Sequence, residues 1–128
     1  MVLVVKFLVV DDSSTMRRIV VNSLQRIGFG DTVEAGDGQE ALARYDESVR
    51  FVITDWNMPV MTGTELARAL RERGEQVPIL MVTARSVRED IIEAMEAGVN
   101  NYIVKPFTPQ ILKEKIDALL AAQPAAAA

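Results

Sequence analysis

The sequence predicts an α/β fold, a doubly wound five-stranded parallel sheet with helices on both faces, on three observations. Short apolar runs recur at regular intervals along the chain. Most of them are continuously apolar, as strands are when helices shield both faces of a parallel sheet and neither meets water. The stretches between them carry apolar residues at helical spacing. Sandwich strands would alternate polar and apolar residues instead.

Each element follows in order. The first strand is expected at residues 6–10. The first helix presents Met16, Ile19, Val20, Leu24 and Ile27 on one face and closes at Gly28, because helices commonly end on a residue in the left-handed conformation that glycine accepts. A weaker, alternating strand comes at residues 32–35. Three later helices open on a capping-box pattern, Asp37 with Glu40, Thr62 with Glu65 and Ser86 with Glu89. In such a box the first side chain accepts from an otherwise unpaired amide and the acid reaches back to the cap's own N–H. The intervening strands fall at residues 51–54 and 79–82, and the last strand at residues 102–104. A fifth helix opens at Thr108-Pro109, where the missing proline N–H would have been unpaired in any case, and runs to about residue 121. Strand–helix alternation with right-handed crossovers gives the doubly wound sheet, although strand order does not follow from these patterns. Residues 1–122 are expected to form one domain with no internal repeats, linkers or appended output module, and residues 123–128 a disordered Ala-rich tail.

Composition removes several classes of function. A chain of 128 residues that is 49% hydrophobic can fill one continuous core. It has no Cys and no His, which excludes a disulfide framework, thiolate or imidazole metal sites, Ser-His triads and a phosphohistidine of its own. A net charge of −4 argues against a nucleic-acid surface, and Arg17-Arg18 is a local pair, not a stripe. The N-terminal residues lack the charge and length of a signal peptide, and no stretch approaches a membrane span. The protein is expected to be soluble, cytoplasmic and monomeric, without nucleic-acid or membrane partners.

In open α/β sheets, ligands bind beyond the carboxyl ends of the strands. The residues there are Asp11 and Asp12 after the first strand, Asp55 after the third, Thr83 after the fourth and Lys105 after the fifth. Each has an ordinary reading: the aspartates and Thr83 suit helix caps and turns, and Lys105 suits a solvated loop. Together they would crowd like charges at one edge, which raises pKa values and lowers stability unless a divalent cation is bound. An all-oxygen site with few carboxylates, leaving positions to water, suits Mg²⁺, with Mn²⁺ able to substitute. A carboxylate, a metal, an ammonium and a hydroxyl are the parts phosphoryl transfer needs, which makes Asp55 a candidate to form an aspartyl phosphate.

Five stretches carry a family resemblance: Lys-Phe-Leu-Val-Val-Asp-Asp at residues 6–12, Ser-Thr-Met-Arg-Arg-Ile-Val at 14–20, Asp-Trp-Asn-Met-Pro at 55–59, Met-Val-Thr-Ala at 81–84 and Val-Lys-Pro-Phe-Thr at 104–108. Over about residues 5–121 the chain resembles the bacterial response-regulator receivers, in particular the CheY-like receivers of chemotaxis. The resemblance implies a flavodoxin-like strand order 2-1-3-4-5. It also implies that Asp55 is the phosphoacceptor and that Asp12, Asp55 and the Asn57 backbone carbonyl hold Mg²⁺, with Asp11 acting through water. Lys105 would pair with a phosphate oxygen, and a cis Lys105-Pro106 bond would aim it. Thr83 and Tyr102 would form the switch. Ile91, Tyr102, Thr108 and Lys115 would form the partner surface on the fourth helix, fifth strand and fifth helix. A CheA-like histidine kinase would be the phosphodonor, and a flagellar switch protein or another protein the target. Asn57 and Arg85 would modulate rates; Arg85 departs from the chemotaxis pattern, which commonly has an acid there, and altered phosphorylation and hydrolysis are expected from it. Asp31 and Thr32 also depart, with no function attached.

Three other readings compete. A single-domain phosphorelay intermediate uses the same site. An aspartate-nucleophile Mg²⁺ phosphatase would carry a second acid two residues after the nucleophile, where this chain has Asn57. Nucleotide binding would need glycine loops, and Gly28-Phe-Gly30 lacks the third glycine and follows a helix.

Overall fold

The computed structural model describes residues 4–84 and 87–122. Five strands, β1 (Phe7–Val10), β2 (Thr32–Ala35), β3 (Phe51–Asp55), β4 (Ile79–Thr83) and β5 (Asn101–Val104), alternate with five helices. The helices are α1 (Ser14–Arg26), α2 (Gly38–Arg44), α3 (Gly63–Glu72), α4 (Arg88–Glu96) and α5 (Pro109–Ala121). All strand pairs are parallel, in the order β2-β1-β3-β4-β5. The doubly wound fold and the order implied by the resemblance are both found.

Two apolar layers sandwich the sheet. Leu8, Val10, Val52, Ile79 and Met81 point to the layer containing Ala41 of α2, Leu66 and Leu70 of α3 and Ala94 of α4. Their neighbours Phe7, Val9, Phe51, Ile53, Leu80 and Val82 point the other way, to Val20 and Leu24 of α1 and Leu112 and Ile116 of α5. Alternation of side chains along each strand thus loads both faces with apolar groups, and the runs read as continuous for that reason.

Several boundaries move from their expected places. β1 begins at Phe7, while the Lys6 ammonium donates to Ser48 Oγ. β3 and β4 each extend one residue further, so that Asp55 and Thr83 are the last residues of their strands instead of the first residues beyond. The Asp37 box is half formed: Asp37 accepts from Glu40 N–H, but the Glu40 carboxylate takes the N–H of Gly36 and not that of the cap. Thr62 and Glu65 make the full reciprocal box. Ser86 lies outside the described residues, and the cap position of α4 is Val87, which has no side-chain cap bond. Thr108 accepts from Ile111 N–H with Pro109 in the first turn, as expected. Gly28, at φ +97°, directly follows the Ile27 cap of α1.

Arg71 near the end of α3 gathers three backbone carbonyls and one side-chain amide oxygen at the amino edge of the sheet. Its guanidinium donates to Glu75 O (2.9 Å), Val77 O (2.7 Å), Gly98 O (2.8 Å) and Asn100 Oδ1 (2.9 Å). The same Asn100 oxygen accepts from Ile79 N–H at the start of β4.

At the other end of α3, the buried Thr64 hydroxyl has no hydrogen-bond partner among the described residues. An orphaned buried hydroxyl carries its full desolvation penalty. Thr64→Val, of nearly equal shape, is expected to stabilise the fold by about 1 kcal/mol. A denaturant midpoint that stays or falls would reject this. Among the described residues no helix is long and apolar enough to cross a membrane.

Candidate functional site

Parallel pairing places the candidate residues side by side. Val10 is in register with Thr54, so Asp11 and Asp55 leave β1 and β3 as neighbours, and Thr83 is in register with Val104, one residue before Lys105. A Lys105 N–H to Thr83 O bond of 2.8 Å carries the pairing past β5, and the Lys105–Pro106 peptide is cis as expected.

One carboxylate oxygen from each of Asp11, Asp12 and Asp55 lies within 4.8 Å of the others. The Lys105 ammonium stands 3.1 Å from Asp55 Oδ1 and 3.6 Å from Asp11 Oδ2. Asp11 is buried, Asp55 half-buried and Asp12 exposed, so the cluster opens to water on one side. Burial pushes the Asp11 carboxyl above its ordinary value; the Ser13 N–H opposes this, Asp55 adds to it, Lys105 opposes it and Asp12 adds to it. Burial, with the neighbouring carboxylates, thus puts the ionised form of Asp11 under electrostatic tension.

That tension has a consequence for stability. A carboxyl whose folded pKa is raised stabilises the fold when protonated, and the contribution is lost as pH climbs from 3.8 through the folded value. Asp11→Asn is thus expected to raise the melting temperature of the metal-free protein at neutral pH, since an amide oxygen can still accept from Ser13 N–H (2.9 Å). It should also flatten the pH dependence in the acid range. Melts in a chelator that show no gain over the parent would contradict it.

The remaining candidates surround this centre. Asn57 is exposed two residues beyond Asp55. Thr83 is buried and lines a small apolar cleft with Trp56, Met81, Ile91 and the half-buried Tyr102. Lys115 Nζ lies 5.8 Å from the Tyr102 ring centroid. Thr108 is exposed, with its hydroxyl accepting as the α5 cap. Arg85 lies outside the described residues.

Three supporting residues were not singled out from sequence. Arg17, read there as half of a charge pair, donates to the Asp11 carbonyl at 2.6 Å and pairs with Glu34 at 3.3 Å. The buried Thr54 hydroxyl donates to the Asp55 carbonyl at 2.9 Å. Gly63 packs so closely that an added Cβ would lie 2.3 Å from the same carbonyl oxygen. The capping box marked the helix start beside Gly63, but nothing in the linear pattern marks the backbone it meets.

A family model described as the response regulator receiver domain matches residues 7–117. The chain belongs to the response-regulator receiver family. The receiver is 55% identical over 119 residues to the chemotaxis protein CheY homolog of Campylobacter jejuni, covering 90% of this chain and 92% of that protein. It is 56% identical over 117 residues to chemotaxis protein CheY of Pseudomonas aeruginosa, covering 89% and 94%. Among solved structures, chemotaxis protein CheY4 of Vibrio cholerae superposes with a TM-score of 0.84 at 36% identity, covering 91% of this chain and 99% of that one. A CheY-like receiver from Methanospirillum hungatei superposes with a TM-score of 0.86 at 29% identity, covering 94% and 97%. The receiver is thus a phosphorylation-controlled switch of the chemotaxis type, a regulatory signalling domain.

Proposed function

We propose that Asp55 takes a phosphoryl group from a CheA-like histidine kinase with Mg²⁺ bound beside it, and that the modified receiver signals to a protein target, a flagellar motor switch. The observation that carries this reading is the meeting of Asp11, Asp12, Asp55 and Lys105 at one edge.

The donor set fits the ion. It is all oxygen, its three carboxylates outnumber the single ammonium of Lys105, and the exposed Asp12 leaves room for the waters that Mg²⁺ keeps. Asp12, Asp55 and the Asn57 carbonyl would hold it, with Asp11 acting through water; Mn²⁺ would serve in its place. When bound, the ion supplies positive charge against the oxygens of the phosphoryl group.

The chain's own groups do the rest. A carboxylate oxygen of Asp55 attacks phosphorus, the bond from phosphorus to the donor's imidazole nitrogen breaks, and its electron pair stays on that nitrogen. Lys105, already 3.1 Å from Asp55, pairs with a phosphoryl oxygen as charge is redistributed. The Thr83 hydroxyl donates to the same group, and Tyr102 moves into the space it leaves. That rearrangement biases the surface bearing Ile91, Tyr102, Thr108 and Lys115 between two states. Loss of the phosphate is self-catalysed, with Asn57 and Arg85 setting its rate. The receiver acts in the cytoplasm as a monomer.

Trp56, the single tryptophan, adjoins the acceptor and reports on it. Its fluorescence is expected to change saturably with Mg²⁺ and again with acetyl phosphate or beryllofluoride. A flat titration of folded protein would overturn the reading.

A further inference from the structure

The loop from β3 to α3 contains the one residue other than glycine with a positive φ among the described residues, Val60 at +72°. Met61 N–H donates to Pro59 O at 2.7 Å, so Val60 is the centre of a γ-turn in its strained, left-handed form. A β-branched side chain is especially ill suited there, because its Cβ substituents crowd the adjacent backbone. Packing of the side chain does not compensate, for Val60 is 71% exposed. The chain is pinned on either side instead. Met58 is buried in the core, and Met61 packs so tightly on α2 that a Cβ added to Gly38 would lie 2.6 Å from its sulfur. The strain between these anchors falls on Val60, three residues beyond Asn57.

We infer that Val60 is a positioning residue for the metal site: its strain opposes the loop geometry that offers the Asn57 carbonyl, and so lowers Mg²⁺ affinity. This rests on the Mg²⁺ reading above and extends it to a residue that touches no ligand. Strain borne equally by the free and metal-bound receiver would alter folding alone. An effect on affinity therefore requires the free loop to leave the strained turn for part of the time, since a ligand that needs one conformation binds more weakly by the fraction of time it is absent. Left-handed strain of this kind amounts to a bias of about tenfold, which sets the ceiling of the effect.

The test is calorimetric titration of MgCl2 into the parent, Asp12→Asn, Val60→Gly, Val60→Asn and Val4→Asn, with a thermal melt of each. Glycine removes the Cβ and asparagine tolerates positive φ, so both Val60 variants are expected to bind Mg²⁺ tighter than the parent, by roughly two- to tenfold. Val4, 70% exposed and without positive φ, serves as the surface control and should leave affinity unchanged. Parent-like affinity in both folded Val60 variants, with Asp12→Asn still weakening binding, would overturn this inference and leave the metal site standing. No saturable binding by the parent, or no loss in Asp12→Asn, would remove the metal reading and this inference with it.

Discussion

Asp55→Asn is expected to yield a folded receiver that takes up no phosphate. The amide keeps the shape of the carboxyl, and its oxygen can still accept from Lys105, so the local packing survives. It lacks the anionic oxygen that forms the new bond to phosphorus, and among the described residues no other carboxylate lies as close to Lys105. Asp11 is the next carboxylate at 3.6 Å, but it is buried and bonded to Ser13 N–H. Mass spectrometry after treatment with acetyl phosphate should show no adduct on Asp55→Asn under conditions that fully label the parent. The variant should also melt higher without metal, because one of the charges that raises the Asp11 pKa is gone. An adduct at undiminished level would move the acceptor to another residue.

Gly63→Ala is the second large effect, and it acts through the backbone. The new Cβ would lie 2.3 Å from the Asp55 carbonyl oxygen and 3.2 Å from its carbon. Neither side can retreat cheaply. Asp55 closes a strand paired with β4, and its carbonyl already accepts from Thr54, while Gly63 N–H is bonded to Trp56 O at 2.9 Å. Overpacking against backbone belongs at the severe end of such substitutions, about 3 kcal/mol, which is roughly 10 °C of melting temperature for a domain of this size. Because the displaced atom belongs to the proposed acceptor, phosphate uptake should fall with stability, even well below the melting point. A variant that melts with the parent would show that α3 can shift away from β3.

How much of this was legible in the sequence depended on how local the cause was. Strand and helix positions follow from period and caps, and Thr62, Glu65, Thr108 and Pro109 do what their neighbours in sequence dictate. Errors at the ends have local reasons too. Polar Asp55 and Thr83 end apolar runs, but their backbones still pair, so a pattern of side chains places each strand end one residue early. Likewise Glu40 has two amides within reach and takes Gly36. The acids and the lysine were found because the fold rule points to one edge before any coordinate is known. Arg17, Thr54, Gly63 and Val60 were missed because their roles rest on a carbonyl or a torsion that only tertiary structure supplies. Strand order came from resemblance to a family, not from the pattern itself.

The Arg71 cluster acquires its meaning beside Gly63. One end of α3 is wedged against the end of β3, and the other is moored by four hydrogen-bond acceptors to the turns that lead into β4 and β5. A helix secured at both extremities behaves as a strut. Small displacements at the acidic edge therefore meet resistance from α3, which cannot slide along the sheet without breaking the Arg71 bonds at its far end.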